Sequence, residues 1–127
     1  MNVVFLIGRI ILGGFFLSNG IHHFTGLDFM SGYAKAKGAP APRLAVGGSG
    51  VLLVLGGLSV LLGFYPFIGC ILLLIFLAGV TPVMHDFWKA QDPATRMAEM
   101  INFMKNVALL GAVLIILTIP APWPLSL

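Results

Sequence analysis

Four long apolar stretches, separated by shorter polar segments, dominate the pattern of this chain. They cover about 3–21, 44–64, 66–84 and 102–119. Each is close to the length of about 20 residues that an α-helix needs to cross roughly 30 Å of hydrocarbon. Backbone polar groups inside lipid need hydrogen-bond partners, which a helix supplies. The pattern therefore predicts an all-α protein, a four-helix transmembrane bundle that forms a single domain over 1–127.

The connections between the predicted spans differ in length. The second and third spans are joined by a tight turn, with Pro66 placed for the first turn of a helix. The longer connections, 22–43 and 85–101, mix apolar and polar residues, which predicts short interfacial helices in both. Asp92 and Pro93 are placed as a helix N-cap and first helical residue.

Composition agrees with a bilayer location. The chain is 59% hydrophobic and 9% charged, whereas soluble domains carry about 25% charged residues. Its seven Lys and Arg residues exceed the four Asp and Glu residues, but they form no basic stripe. We therefore expect the lipid bilayer as a partner and no nucleic acid. The first stretch has no basic residue before it and is long for a signal peptide, so we interpret it as a retained span.

The positions of the basic residues predict the orientation in the membrane. The bases outside the spans all lie in the two longer connections: Lys35, Lys37, Arg43, Lys89 and Arg96. Because cytoplasmic loops are enriched in Lys and Arg, we expect the long loops in the cytoplasm and both termini outside.

Two further features of the composition bear on chemistry. Cys70 is the single cysteine, which excludes an internal disulfide and a CxxC redox pair. It lies in an apolar helix, where a thiol is usually a small hydrophobe.

The second span is rich in glycine, including Gly50 and Gly57 on one face, and we interpret these glycines as helix-packing positions.

Several polar side chains cluster at the loop-side ends of the predicted spans: His22, His23, His85, Asp86, Asn102, Lys105 and Asn106. Alternating helices bring these ends to one side of the membrane. At 100° per residue His23 shares a face with Arg9, Gly13, Phe16 and Gly20, so we expect His23 to face the bundle and His22 to face away. Pro82 can bend the end of the third span and open a pocket there.

Two interpretations of this polar layer remain open. A histidine next to a carboxylate, such as His85 beside Asp86, could bind a ligand or move protons at neutral pH. The same groups could instead cap and solvate helix ends at the interface. No HxxxH or ExxH spacing is present, and neighbouring histidines diverge on a helix, so we expect no metal site.

Arg9 lies alone near the opposite end of the first span. Every Asp and Glu in the chain falls at or beyond the other end of a span. Three roles remain for Arg9: it reaches a lipid phosphate, it bonds helix-end carbonyls or Thr118, or it binds an acidic group of a ligand or another subunit.

Several segments together resemble the DoxX family of small four-span membrane proteins. They are GRIILGGFFLSNGIHHF (8–24), GGLSVLLGFYPFIGCILLLIFL (56–77), HDFW (85–88) and NFMKNVALLGAVLIIL (102–117). The resemblance implies a four-helix bundle in a bacterial or archaeal cytoplasmic membrane. It also implies that Arg9, His85, Lys105 and Asn106 match the polar motif residues of the family.

The functions implied by the resemblance are diverse. Some family members are membrane subunits of quinone-linked oxidoreductases, others are tied to thiol, oxidative or quinone stress, and related eukaryotic proteins are assembly factors or cargo receptors. Many members carry an acidic residue in the first half of the second span, where this chain has Leu52 and Leu53. That departure puts a carboxylate proton relay in doubt.

The first hypothesis is a membrane subunit that binds a quinone or another amphipathic small molecule and works beside a redox partner. Its candidate ligand-binding residues are His85, Asn106, Lys105, His23, Asp86 and Arg9. No side chain here can itself carry electrons, so catalysis would need an external electron donor or a bound cofactor. Whether the protein is an enzyme therefore stays open. The alternative is a non-enzymatic scaffold or assembly factor, for which the glycine-rich span and Arg9 would contact a partner protein or a second copy. An exporter or channel is less favoured, since four spans make a poor pore.

Overall fold

The computed structural model describes residues 1–127 and contains no β-strand. The helices are, in chain order, α1 (Asn2–Thr25), α2 (Leu27–Ala36), α3 (Pro42–Leu62), α4 (Pro66–Met84), a 3-10 helix (Phe87–Lys89) and α5 (Pro93–Leu117). Helices α1, α3, α4 and α5 are long and apolar enough to cross a membrane. Short helices occupy both longer connections. The predicted all-α, four-helix transmembrane bundle is confirmed.

Helix α5 begins at Pro93, well before the apolar stretch that starts near 102. The side chain of Asp92 accepts hydrogen bonds from the backbone nitrogen and the hydroxyl of Thr95, both at 3.0 Å. These bonds lower the pKa of Asp92 below its ordinary value and satisfy an otherwise unpaired N–H of the first turn. The early start places Glu99 on the same helix as Asn106.

Helices α1 and α3 lie in direct backbone contact, which two glycines allow. A Cβ atom at Gly57 would lie 2.6 Å from the backbone nitrogen of Leu17, and one at Gly13 would lie 2.7 Å from that of Leu61. Neither distance is tolerable for a real side chain. In lipid, close packing at small residues takes the place of the hydrophobic effect in holding helices together. These glycines therefore pack against other helices of the same chain.

Helices α3 and α4 form a tight antiparallel pair. Gly63 ends α3 in the left-handed region at φ 71°, which glycine adopts without a steric penalty. Ser59 donates from Oγ to the carbonyl oxygen of Phe64 at 2.7 Å and so holds the turn. The fully buried core joins all four long helices through Phe16, Leu53, Val60, Cys70, Leu73, Leu77 and Val113.

Candidate functional site

A cavity of about 610 Å³ lies among the loop-side ends of the four long helices and is bordered by α2. Its volume is within the range of roughly 300–1,000 Å³ that is typical of small-molecule sites. The apolar wall includes Phe16, Leu53, Phe76, Leu77, Val80 and Leu109. The polar lining includes Asn19, His22, His23, Tyr33, Ser49, His85, Glu99, Asn102, Lys105 and Asn106. The cavity is therefore amphipathic, with its titratable groups at the loop-side end.

A partly buried ion-pair cluster lies at that end of the cavity. Nζ of Lys37 lies 2.7 Å from Oδ1 of Asp86 and 3.0 Å from Oε2 of Glu99. The hydroxyl of Tyr33 donates to Oε1 of Glu99 at 3.0 Å. We call Tyr33, Lys37, Asp86 and Glu99 the loop-end cluster. The cluster links α2 and Lys37, which follows α2, to the residues after α4 and to the first turns of α5.

The cluster fixes the protonation of Lys37 and Tyr33. Burial lowers the pKa of Lys37, but its hydrogen bonds to Asp86 and Glu99 outweigh burial and hold the pKa above its ordinary value. Burial, with the hydrogen bond to Glu99, raises the pKa of Tyr33. Lys37 therefore stays charged and Tyr33 stays neutral across the physiological range.

His85 follows α4 directly and lines the cavity next to the cluster. Its Nδ1 lies 3.7 Å from Oε2 of Glu99, which is longer than a hydrogen bond. The Nδ1 atom is buried and has no hydrogen-bond partner. The structure thus pairs His85 with Glu99 through space rather than with its sequence neighbour Asp86.

His23 lies on the buried face of α1 and lines the same cavity. Its Nδ1 is 2.7 Å from the backbone carbonyl oxygen of Asn19, and its ring packs edge-on against Phe76 with 5.9 Å between ring centres. The buried residues of α1 are Arg9, Gly13, Phe16, Gly20 and His23. Helical periodicity predicted this face.

Asn106 and Lys105 reach the cavity from α5. Asn106 is buried, and it shares a helix face with Asn102 and Glu99. Lys105 is more exposed, and its Nζ lies 5.9 Å from the ring centre of Phe15 on α1. Lys105 is the only lysine or arginine that lines the cavity.

Two of the candidate ligand-binding residues lie outside the cavity lining. Asp86 belongs to the loop-end cluster, where Lys37 binds its carboxylate. Arg9 lies at the opposite end of α1. Four of the six residues therefore line one cavity: His23, His85, Lys105 and Asn106. Asp86 lies beside the cavity in the loop-end cluster, and Arg9 is remote from it.

Arg9 bonds backbone carbonyls, the second of the three roles open to it from the sequence. The side chain is 3% exposed. Nε donates to the oxygen of Val60 at 3.2 Å and Nη2 to that of Leu61 at 3.1 Å, at the end of α3. Nη1 donates to the oxygen of Pro124 at 2.6 Å. Arg9 thus clamps the C-terminal segment onto the end of α3 and has little capacity left for a ligand.

Replacing Arg9 with lysine should release that segment. Lysine has three donors in place of five and lacks the planar fork, so we expect a loss of about 2 kcal/mol in the free energy of unfolding. Trp123, which packs at 5.3 Å from Phe5, should shift its emission to the red in a Trp88→Phe background. Arg96→Lys, at an exposed position, is the control. Unshifted Trp123 emission in Arg9→Lys would contradict the clamp.

Glu99, Lys37 and Tyr33 were missing from the residues predicted for the site. One signal was present: Glu99, Asn102 and Asn106 are spaced for one helix face. Glu99 lies in a stretch that resembled an interfacial turn, and nothing local indicated that α2 would bury it. Although the second span lacks an acidic residue, α5 supplies a buried carboxylate to the cavity.

The arrangement is suited to hydrogen bonding and proton exchange. A histidine and a carboxylate lie beside an apolar chamber, and amide groups from α5 can orient a ligand. No group of three His, Cys, Asp or Glu side chains could hold a metal ion.

Comparison with known proteins gives a consistent result. The family model described as DoxX matches residues 4–86. The chain is similar to the inner membrane protein YphA of Escherichia coli strain K12, with 33% identity over 125 residues that cover 98% of this chain and 88% of YphA. No solved structure matches the chain.

Proposed function

Because this chain belongs to the DoxX family, we propose that it is a membrane subunit that holds one amphipathic small molecule with a quinone-like head group. The observation that carries the proposal is the cavity, in which an apolar wall ends at His23, His85 and Asn106. A ligand with a polar ring and an apolar tail would place the ring at the polar end of the cavity and the tail along its apolar wall.

Each candidate residue has a distinct role in this proposal. His85 and His23 hydrogen-bond the head group, while Asn106 and Lys105 orient it. Glu99 holds His85 in place. Since no side chain here carries electrons, any redox step belongs to a bound cofactor or a partner protein.

We also propose a cytoplasmic-membrane location with the long loops in the cytoplasm and both termini outside. The support is the distribution of Lys and Arg, together with the inner-membrane description of YphA. In this orientation the loop-end cluster and the polar end of the cavity face the cytoplasm, where a soluble redox partner could dock.

Mass spectrometry of organic extracts tests the ligand proposal. Purified wild-type protein is expected to retain a quinone or related amphiphile at about one molecule per chain, and His85→Ala and Asn106→Ala should both lose it. Lys35→Ala, at an exposed position of α2 away from the cavity lining, is the matched control and should retain it. No retained molecule, or equal retention in all four proteins, would overturn the proposal.

The scaffold alternative now has less support. Both features that favoured it are used inside the chain: Gly57 packs α3 against α1, and Arg9 bonds the end of α3 and the C-terminal segment. Obligate co-purification with a larger partner, together with indifference to His85→Ala, would restore it.

A further inference from the structure

We infer that the cavity selects a ligand head group that donates hydrogen bonds, so that it takes the dihydroxy, reduced form of an aromatic amphiphile in preference to the dicarbonyl form. The inference rests on the proposed function and narrows its ligand class. It follows from the positions of the protons on the two histidines that line the cavity, His23 and His85. In each neutral ring the proton on Nδ1 leaves a lone pair on Nε2 for the ligand.

The proton on His23 is fixed by its own helix. Nδ1 lies 2.7 Å from the backbone carbonyl oxygen of Asn19, and a carbonyl oxygen can only accept a hydrogen bond. Nδ1 therefore carries the proton, and Nε2 of the neutral ring is an acceptor. His23 is 9% exposed and Nε2 has no partner within the protein. Since the ring lines the cavity, only a ligand or a water molecule can reach that lone pair.

The proton on His85 is fixed by charge. Nδ1 lies 3.7 Å from Oε2 of Glu99 and is buried without a hydrogen-bond partner. A lone pair on Nδ1 would point at a carboxylate, so the proton is favoured on that side of the ring. Nε2 of His85 is then the second acceptor, and Glu99 is a positioning residue that sets the tautomer.

The donors near the histidines do not reverse this preference. The hydroxyl of Tyr33 and the ammonium of Lys37 are both directed at Glu99. Lys105 is the one charged donor in the lining, and its Nζ lies 5.9 Å from the centre of the Phe15 ring, which also lines the cavity. Because an ammonium can donate to a hydroxyl oxygen as well as to a carbonyl oxygen, Lys105 does not discriminate between the two forms. The amide of Asn106 can donate or accept and therefore does not discriminate between the two forms.

Two acceptors facing an apolar chamber distinguish hydroxyl from carbonyl head groups. A hydroxyl donates to Nε2, whereas a carbonyl oxygen would meet it lone pair to lone pair and leave both atoms unsatisfied. The difference is one of binding alone and needs no electron transfer. A site of this kind would receive the reduced ligand from a reductase, or hold it ready for an oxidase.

Binding of three matched probes tests the inference. The probes are a decyl-substituted para-benzoquinone, its hydroquinone and the dimethyl ether of that hydroquinone, titrated anaerobically into detergent-solubilised protein at about pH 8, where free imidazole is neutral. If each acceptor contributes roughly fivefold, the hydroquinone should bind roughly 25-fold more tightly than the other two probes.

Variants assign the preference to the two rings. His23→Leu and His85→Leu should each reduce the preference for the hydroquinone to roughly fivefold. Glu99→Gln should weaken the preference, because the proton of His85 is then no longer held on Nδ1 by a neighbouring carboxylate. Lys35→Leu should leave it unchanged. The thermal unfolding temperature of each variant separates a local effect from misfolding, and His23→Gln replaces His23→Leu if the latter is unstable.

The outcomes separate this inference from the proposed function. Equal binding of the quinone and hydroquinone, tighter binding of the quinone, or a preference unchanged in both histidine variants would overturn the inference and leave the ligand site standing. Absence of binding by all three probes would overturn both.

Discussion

Replacing Glu99 with glutamine is expected to lower the free energy of unfolding by about 3 kcal/mol, because it neutralises a buried carboxylate that accepts two hydrogen bonds, one of them from a lysine. Glu99 is 6% exposed and binds both Lys37 and Tyr33. Without the charge of Glu99, Lys37 keeps Asp86 as its one ion-pair partner, and the hydrogen bonds that link α2 to α5 weaken. Reversible unfolding in mixed micelles, followed by circular dichroism, measures the change.

Asp28 provides the control for this prediction. It pairs with Arg43 at the surface, where the two side chains are 90% and 64% exposed. Because exposed ion pairs contribute roughly 0–1 kcal/mol, Asp28→Asn should change the free energy of unfolding by less than about 1 kcal/mol. If Glu99→Gln were as mild as Asp28→Asn, the loop-end cluster would not hold the fold together.

Replacing Gly57 with alanine should destabilise the bundle by a similar amount, about 3 kcal/mol, through overpacking. The new Cβ would lie 2.6 Å from the backbone nitrogen of Leu17 and 2.9 Å from the carbonyl oxygen of Gly13. Backbone atoms cannot rotate away as a flexible side chain can, so α1 and α3 must move apart. The same unfolding assay measures the loss, and a lower thermal unfolding temperature should accompany it.

Gly48 on the same helix is the matched control. A Cβ there would meet nothing within 4 Å, so Gly48→Ala should be neutral or slightly stabilising, since alanine is the better helix former. Equal effects of the two substitutions would show that α1 and α3 do not depend on close backbone contact.

The sequence predicted which residues meet at the cavity wherever helical periodicity alone determines the face on which a side chain lies. His23 shares the buried face of α1 with Phe16, and the loop-side ends of alternating helices must lie on one side. The same logic brings His85 and Asn106 to that end. The partner of His85 was not predictable, because Asp86 is adjacent in sequence whereas Glu99 belongs to another helix.

Arg9 illustrates a different limit. The sequence indicates that no carboxylate lies in its layer of the bundle. Which carbonyls it bonds depends on the C-terminal segment folding back, so that Pro124 comes within 2.6 Å of its guanidinium. Contacts between residues so distant along the chain leave no local pattern.

By itself, the sequence determined the bilayer as solvent, the four spanning helices and the helix ends at which polar groups collect. Those properties follow from hydrophobic length, periodicity and capping, which act over a few turns of chain. Only the tertiary structure decided that α2 and Lys37 bury Glu99 beside His85, and that an amphipathic cavity forms there. The reason is physical: burial and charge pairing depend on which elements meet in space.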